Sequence, residues 1–198
     1  MPAIFCYLEL FMKKTEMRKE QKQVLTTFAD TPQKKKEDQA ILRQLFTLDL
    51  IKKSQTIGVT SSLPIEIDTS EIIAQLWDLG KEVYLARANP DRAHTQDFLR
   101  YTYRSKLTKS KFGVEEVAGE AEIKNDLDLL IVPGLAFSQD NHARLGFGGG
   151  YYDRFLAKHP TKTIALANSK MIFETATWPI EATDVAMDVI VTPNKIYR

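Results

Sequence analysis

Cysteine is almost absent from these 198 residues: Cys6 stands alone, which excludes an intrachain disulfide and fits a reducing compartment. Histidine is nearly as scarce. His94, His142 and His159 show no ligand spacing, so zinc and metal-hydrolase readings lose their support. An excess of one charge is also missing: 27 Lys and Arg against 26 Asp and Glu leave a formal net charge of +1, no global field for gathering nucleic acid. No apolar run approaches the ~20 residues of a membrane span. The apolar opening, residues 1–11, lacks the basic first segment and small-residue cleavage site of a signal peptide. A cytoplasmic protein is expected, monomeric or weakly dimeric, acting on a small molecule. Residues 1–11 read as a poorly docked extension or a start-site artefact, and residues 12–198 as a single domain. Ser138 and Ser169 lack the setting of a nucleophile elbow.

What is present has the balance of a globular chain, with 43% hydrophobic and 27% charged residues. Residues 13–29 and 34–53 predict two amphipathic helices separated at Thr31-Pro32, the lysines 34–36 forming a solvated start to the second. Short apolar strands then alternate with helices. Strands are expected over 56–60, 83–86, 98–104, 127–132, 163–167 and 188–192. A helix over 70–79 is opened by a capping box of Asp68 and Glu71 and ended by Gly80; another follows over 151–158. This alternation predicts an α/β fold, a mostly parallel sheet in three layers. Ligands of such sheets bind outside the carboxyl ends of the strands.

The most informative stretch is Arg144-Leu145-Gly146-Phe147-Gly148-Gly149-Gly150-Tyr151-Tyr152-Asp153-Arg154, which holds four of the nine glycines. Bare backbone followed by a helix start suits phosphate, because amide groups and the positive end of the helix dipole both face the loop. No Lys-Ser/Thr pair follows, so it is not a Walker A loop, and Tyr151 replaces the third glycine of a dinucleotide fingerprint. The glycines alone suit an irregular turn equally well. Arg144 and Asp153 favour the phosphate reading, supplying a cation for phosphate oxygens and a hard oxygen ligand for Mg²⁺.

Other residues are weaker signals. Lys14 and Arg18 lie four apart on one helix face, a spacing that by itself suits solvated residues. Glu66, between a strand and a helix, has the position to accept hydrogen bonds from an amino-bearing ring or to lie in a surface loop. Asp184 and Asp188 precede the last strand, and either one fits beside Asp153 around a metal.

Together these residues resemble the 5-formyltetrahydrofolate cyclo-ligase (methenyltetrahydrofolate synthetase) family. The resemblance lies in Val132-Pro133-Gly134-Leu135-Ala136-Phe137, the run from Arg144 to Leu156, Lys14-x-x-x-Arg18, Glu66-Ile67-Asp68-Thr69, Phe112-Gly113-Val114-Glu115-Glu116, and Asp184 with Asp188. It covers about residues 12–193. It implies a Rossmann-like α/β/α enzyme that uses ATP and Mg²⁺ to convert 5-formyltetrahydrofolate into 5,10-methenyltetrahydrofolate, ADP and phosphate through a phosphorylated formyl group. Carried over residue by residue, Lys14, Arg18 and Arg144 through Tyr152 contact ATP, Lys14 and Arg144 being catalytic. Glu66 and Phe147 through Tyr151 face the folate, and Asp153 and Asp184 bind Mg²⁺. Ala86-Arg87 departs from the proline and basic residue common in the family. Two rivals remain: a sugar-phosphate isomerase or acyl-carrier enzyme on a similar sheet, which splits no ATP, and a non-catalytic ligand-binding module.

Overall fold

A computed structural model describes residues 12–91 and 93–198; the expected extension over residues 1–11 lies outside them. Helix α1 (Lys14–Ala29) turns Met17, Gln21, Leu25 and Phe28 inward, the stripe of an amphipathic helix. Helix α2 (Pro32–Leu45) begins with Pro32 at its first position, and the Thr31 side chain accepts from the Lys34 amide at 3.1 Å. The single helix expected over 34–53 is two helices. Thr47 Oγ1 donates to the Gln44 carbonyl and Leu48 is extended, so α2 ends and α3 (Asp49–Lys53) starts afresh. Lys34 is not solvated either: it lies on the same inward stripe as Glu37 and Ile41 and pairs with Asp38.

Strand β1 (Thr56–Val59) leads to α4 (Ser70–Asp78), then to the antiparallel pair β2 (Glu82–Ala88) and β3 (Gln96–Tyr101). The expected capping box does not close. Asp68 accepts from the Ser70 amide, while Glu71 accepts from Gln39. Thr69 instead donates to the Thr60 carbonyl and anchors α4 to the carboxyl end of β1. A hairpin, β4 (Leu107–Lys109) and β5 (Glu115–Val117), precedes the fully buried β6 (Leu129–Val132). Then come β7 (Ala136–Ser138), β8 (Arg144–Leu145), α5 (Tyr151–Lys158), β9 (Lys162–Leu166), β10 (Ile172–Phe173), β11 (Val189–Val191) and β12 (Ile196–Tyr197). The hairpin, β12 and the small sheet β10-β7-β8 were not expected, because two or three residues carry too little periodicity to be read.

The main sheet has the order β12-β11-β9-β6-β1-β2-β3. Its five central strands are parallel, and an antiparallel strand closes each edge. From β1 the chain crosses through α4 to β2, on one side. From β6 it crosses through α5 to β9, on the other. Right-handed crossovers in opposite directions put their helices on opposite faces, and the order reverses between β1 and β6. Such a switch point opens a crevice at the carboxyl ends of the two strands. Thr60 follows β1 there and Pro133 follows β6.

Candidate active site

The crevice is a canyon of about 1220 Å³. Thr60 and Pro133 line its floor, α1 supplies one wall through Lys14 and Arg18, and the loop between β8 and α5 supplies another. The canyon is long enough in its lining to bring together residues separated by more than 160 positions in the chain, such as Lys14 and Asp184.

The loop gets its shape from two glycines. Gly148 has φ +106° and Gly150, which caps α5 without a side chain, has φ +69°. L side chains rarely adopt these angles. The first amides of α5 lack carbonyl partners within the helix and face a cap with no side-chain oxygen, the arrangement that favours an anion. Loop carbonyls are held by cations: Arg18 Nε donates to the Gly146 oxygen at 2.9 Å and Arg154 Nη1 to the Gly149 oxygen at 2.7 Å. Arg144 is buried; it donates to Asp153 Oδ2 at 2.7 Å and to the Pro133 carbonyl at 3.2 Å, while its Nε has no partner. A buried guanidinium with an idle N–H beside a glycine loop suits the oxygens of a phosphate.

The carboxylates are tied to these cations. Lys14 Nζ lies 2.6 Å from Asp184 Oδ2 and 3.4 Å from Glu181. Asp153 Oδ1 accepts from the Val185 amide at 3.2 Å, which draws the strap carrying Asp184 against α5. Among the described residues no three His, Cys, Asp or Glu gather as a ready metal cluster. Asp153 and Asp184 suit Mg²⁺, which takes one or two carboxylates and completes its shell with water and phosphate.

At the other end Glu66 is buried and accepts from the Leu63 amide at 2.7 Å. Burial pushes its carboxyl up to about 7, only partly opposed by that amide and by Lys34. The Tyr152 hydroxyl bonds to Thr60, and burial drives its pKa upward. Tyr151 lies between His94 and Phe112, with ring centroids at 5.2 and 5.6 Å. Phe147 carries the Lys22 ammonium over its face at 5.5 Å.

Of the residues expected in the site, Lys14, Arg18, Glu66, Arg144 and Asp184 all line the canyon, as does the run from Gly146 to Asp153. Two do not. Leu145 alternates with Arg144 along β8 and is fully buried in a cluster with Met17, Ala136 and Trp178. Asp188 is at the opposite edge of the sheet, where it accepts from the Thr163 amide and hydroxyl and pairs with Lys162. Sequence reasoning missed Thr60, Lys22, Gln96 and Glu116. Lys22 continues the four-residue spacing of Lys14 and Arg18, a signal that was present; Glu116 ends the Phe112–Glu116 segment of the resemblance with no role attached to it, and Gln96 carries no signal.

Among the described residues no helix is long and apolar enough to cross a membrane. Comparison with known proteins gives one answer. The profile of the 5-formyltetrahydrofolate cyclo-ligase family matches residues 11–193. The 5-formyltetrahydrofolate cyclo-ligase of Escherichia coli K12 is 31% identical over 177 residues, covering 85% of this chain and 94% of its own. The solution structure of Aquifex aeolicus 5,10-methenyltetrahydrofolate synthetase superposes with a TM-score of 0.77 at 28% identity, over 94% of this chain and 93% of the other. A synthetase of the same name from Mycoplasma pneumoniae, 20% identical with a TM-score of 0.69, shares the fold.

Proposed function

The chain belongs to the 5-formyltetrahydrofolate cyclo-ligase family, and from that premise we propose how its canyon performs the reaction. The enzyme closes 5-formyltetrahydrofolate to 5,10-methenyltetrahydrofolate. ATP is the co-substrate in our reading: it supplies the phosphoryl group that turns the formyl oxygen into a leaving group, and Mg²⁺ offsets phosphate charge. The observation that carries this reading is the meeting, in one canyon, of a glycine-and-arginine anion cradle with a buried carboxylate.

The residues divide the work. Amides of the loop 146–150 and the start of α5 receive phosphate oxygens, with Lys14, Arg18 and Arg144 around them. Asp153 and Asp184 hold Mg²⁺. Each is now paired with a cation, so binding a metal and a polyphosphate exchanges partners among existing charges rather than burying new ones. Glu66 accepts from the amino-bearing pterin ring, and Phe147 and Tyr151 flank the folate. Phosphoryl transfer needs in-line positioning and charge neutralisation more than a protein nucleophile. Among the described residues none of the canyon's lining side chains is a Cys or Ser.

The test is the appearance of the methenyl chromophore with and without ATP and Mg²⁺, together with ADP release. Product and ADP that each require both 5-formyltetrahydrofolate and ATP support the reading. ADP release without the folate, or binding of both ligands without product, contradicts it.

A further inference from the structure

Gln96 stands at the first position of β3, paired with Ala88 at the carboxyl end of β2. It is buried and lines the canyon, yet its Nε2 has no hydrogen-bond partner. Buried side-chain donors are nearly always satisfied, and one left idle is costly unless something else completes it. Its surroundings are polar and already occupied. The Tyr152 hydroxyl is the polar group its side chain approaches, and that hydroxyl is already engaged with Thr60. Glu116, also buried, accepts from the Ala88 amide at 3.2 Å across the same wall. Glu66 shares the Tyr152 neighbourhood from the other side. Glu66, Glu116 and the Gln96 carboxamide therefore face one stretch of canyon, and the carboxamide has a donor to offer at every pH.

We infer that Gln96 is a specificity-determining residue that donates from its side-chain amide to the 4-oxo oxygen of the substrate's pyrimidine ring, beside Glu66, which accepts from the ring's N–H groups. The inference rests on the proposed function. A 2-amino-4-oxopyrimidine edge presents N–H donors next to a carbonyl acceptor, so a complementary wall needs an acceptor next to a donor. Glu66 alone supplies only the first. The terminal torsion of glutamine is broad, so the amide can turn its nitrogen to the ligand without moving the strand. The same turn would present oxygen to a 4-amino ring, so the carboxamide alone discriminates weakly between the two. Replacing it by a group that only accepts should reveal the contact.

The test uses the full chain with Gln96→Met and Gln96→Glu, reading thermal midpoint, folate affinity by calorimetry and steady-state kinetics. Gln96→Met removes the idle donor at similar volume, so the unliganded midpoint should hold or rise. Its affinity and KM for 5-formyltetrahydrofolate should weaken about tenfold, with KM for ATP unchanged. Gln96→Glu should bind a 2,4-diamino folate analogue in preference to its 2-amino-4-oxo counterpart, relative to the wild-type ratio. A Gln96→Met protein with a lowered midpoint and unaltered folate affinity overturns the inference in favour of a structural role. An unchanged ratio in Gln96→Glu overturns it as well. If the wild-type chain neither binds nor converts 5-formyltetrahydrofolate, the functional reading fails first, an outcome separable from the other two.

Discussion

The two edges of the parallel sheet use carboxylates in opposite ways. At the amino-terminal edge, Asp128 and Asp188 each stand immediately before a strand and reach a threonine near the start of the neighbouring strand, Thr56 in β1 and Thr163 in β9. Asp128 accepts from the Gln55 and Thr56 amides at 2.8 Å, and its own amide donates to Thr56 Oγ1. Asp188 does the same with Thr163. At the carboxyl-terminal edge, Glu66 has one backbone donor, and Asp153 and Asp184 each add to one backbone amide, from Val185 and Glu181, a cation beside open space. A carboxylate tied to both the amide and the hydroxyl of a threonine on the neighbouring strand holds the scaffold. One met by movable cations can exchange them for a ligand.

Titration separates Asp128 and Asp188 from Glu66 by sign. Amide and hydroxyl bonds from Thr56, with the Gln55 amide, hold Asp128 below the usual carboxylate range. Burial pushes Asp188 up, but bonds from Lys162 and Thr163 outweigh it and hold it low. These two contribute stability that is present above their ordinary value and lost as pH falls through the folded one. Glu66 runs the other way. With a folded value of about 7 against an ordinary 4.5, the folded state binds more protons than the unfolded one between them, so stability falls as pH rises across that window.

The largest effect should come from the ligand edge. Arg144→Ala is expected to lower the rate of methenyl formation by about 100- to 1,000-fold, the usual cost of one preorganised electrostatic contact. Asp153→Asn should lower the rate too. It should also depress the thermal midpoint, because it leaves a buried guanidinium without its counter-charge. Next, Glu66→Gln should stabilise the unliganded protein above pH 7, by up to about 3 kcal/mol for a shift of this size, and flatten the pH dependence in denaturant titrations between 4.5 and 7. Its folate affinity should drop. At the opposite edge, Asp128→Asn and Asp188→Asn should each cost about 1 kcal/mol near neutral pH, since exposed groups are screened, with KM for both substrates untouched. The smallest effect is a proton count. Folate binding at pH 7 should release about half a proton as Glu66 becomes a carboxylate, seen as a calorimetric enthalpy that depends on the ionisation heat of the buffer.

The contrast between edges also explains what was legible in the sequence. The loop we propose as the phosphate cradle could be read because glycines, an arginine and a helix start are consecutive, and local chemistry writes itself into local sequence. The parallel core was readable for the same reason: β6 is an unbroken apolar run. Asp184 and Asp188 looked alike because both precede the last strand by a few residues. Only the register of β11 against β9 sends Asp188 to Thr163 and leaves Asp184 in the canyon. Leu145 falls inside the Arg144–Tyr152 run that the resemblance gives to ATP, and strand alternation turns it to the core. Gln96 gave no signal at all, because its position depends on a β2–β3 pairing that no short pattern specifies.

The most direct measurement is a Mg²⁺ titration of methenyl formation in Asp184→Asn and Asp188→Asn side by side. Asp184→Asn should raise the Mg²⁺ concentration for half-maximal rate by about tenfold or more, while Asp188→Asn should leave it at the wild-type value. A raised requirement in Asp188→Asn, or an unchanged one in Asp184→Asn, would contradict the division of the sheet into a scaffold edge and a ligand edge.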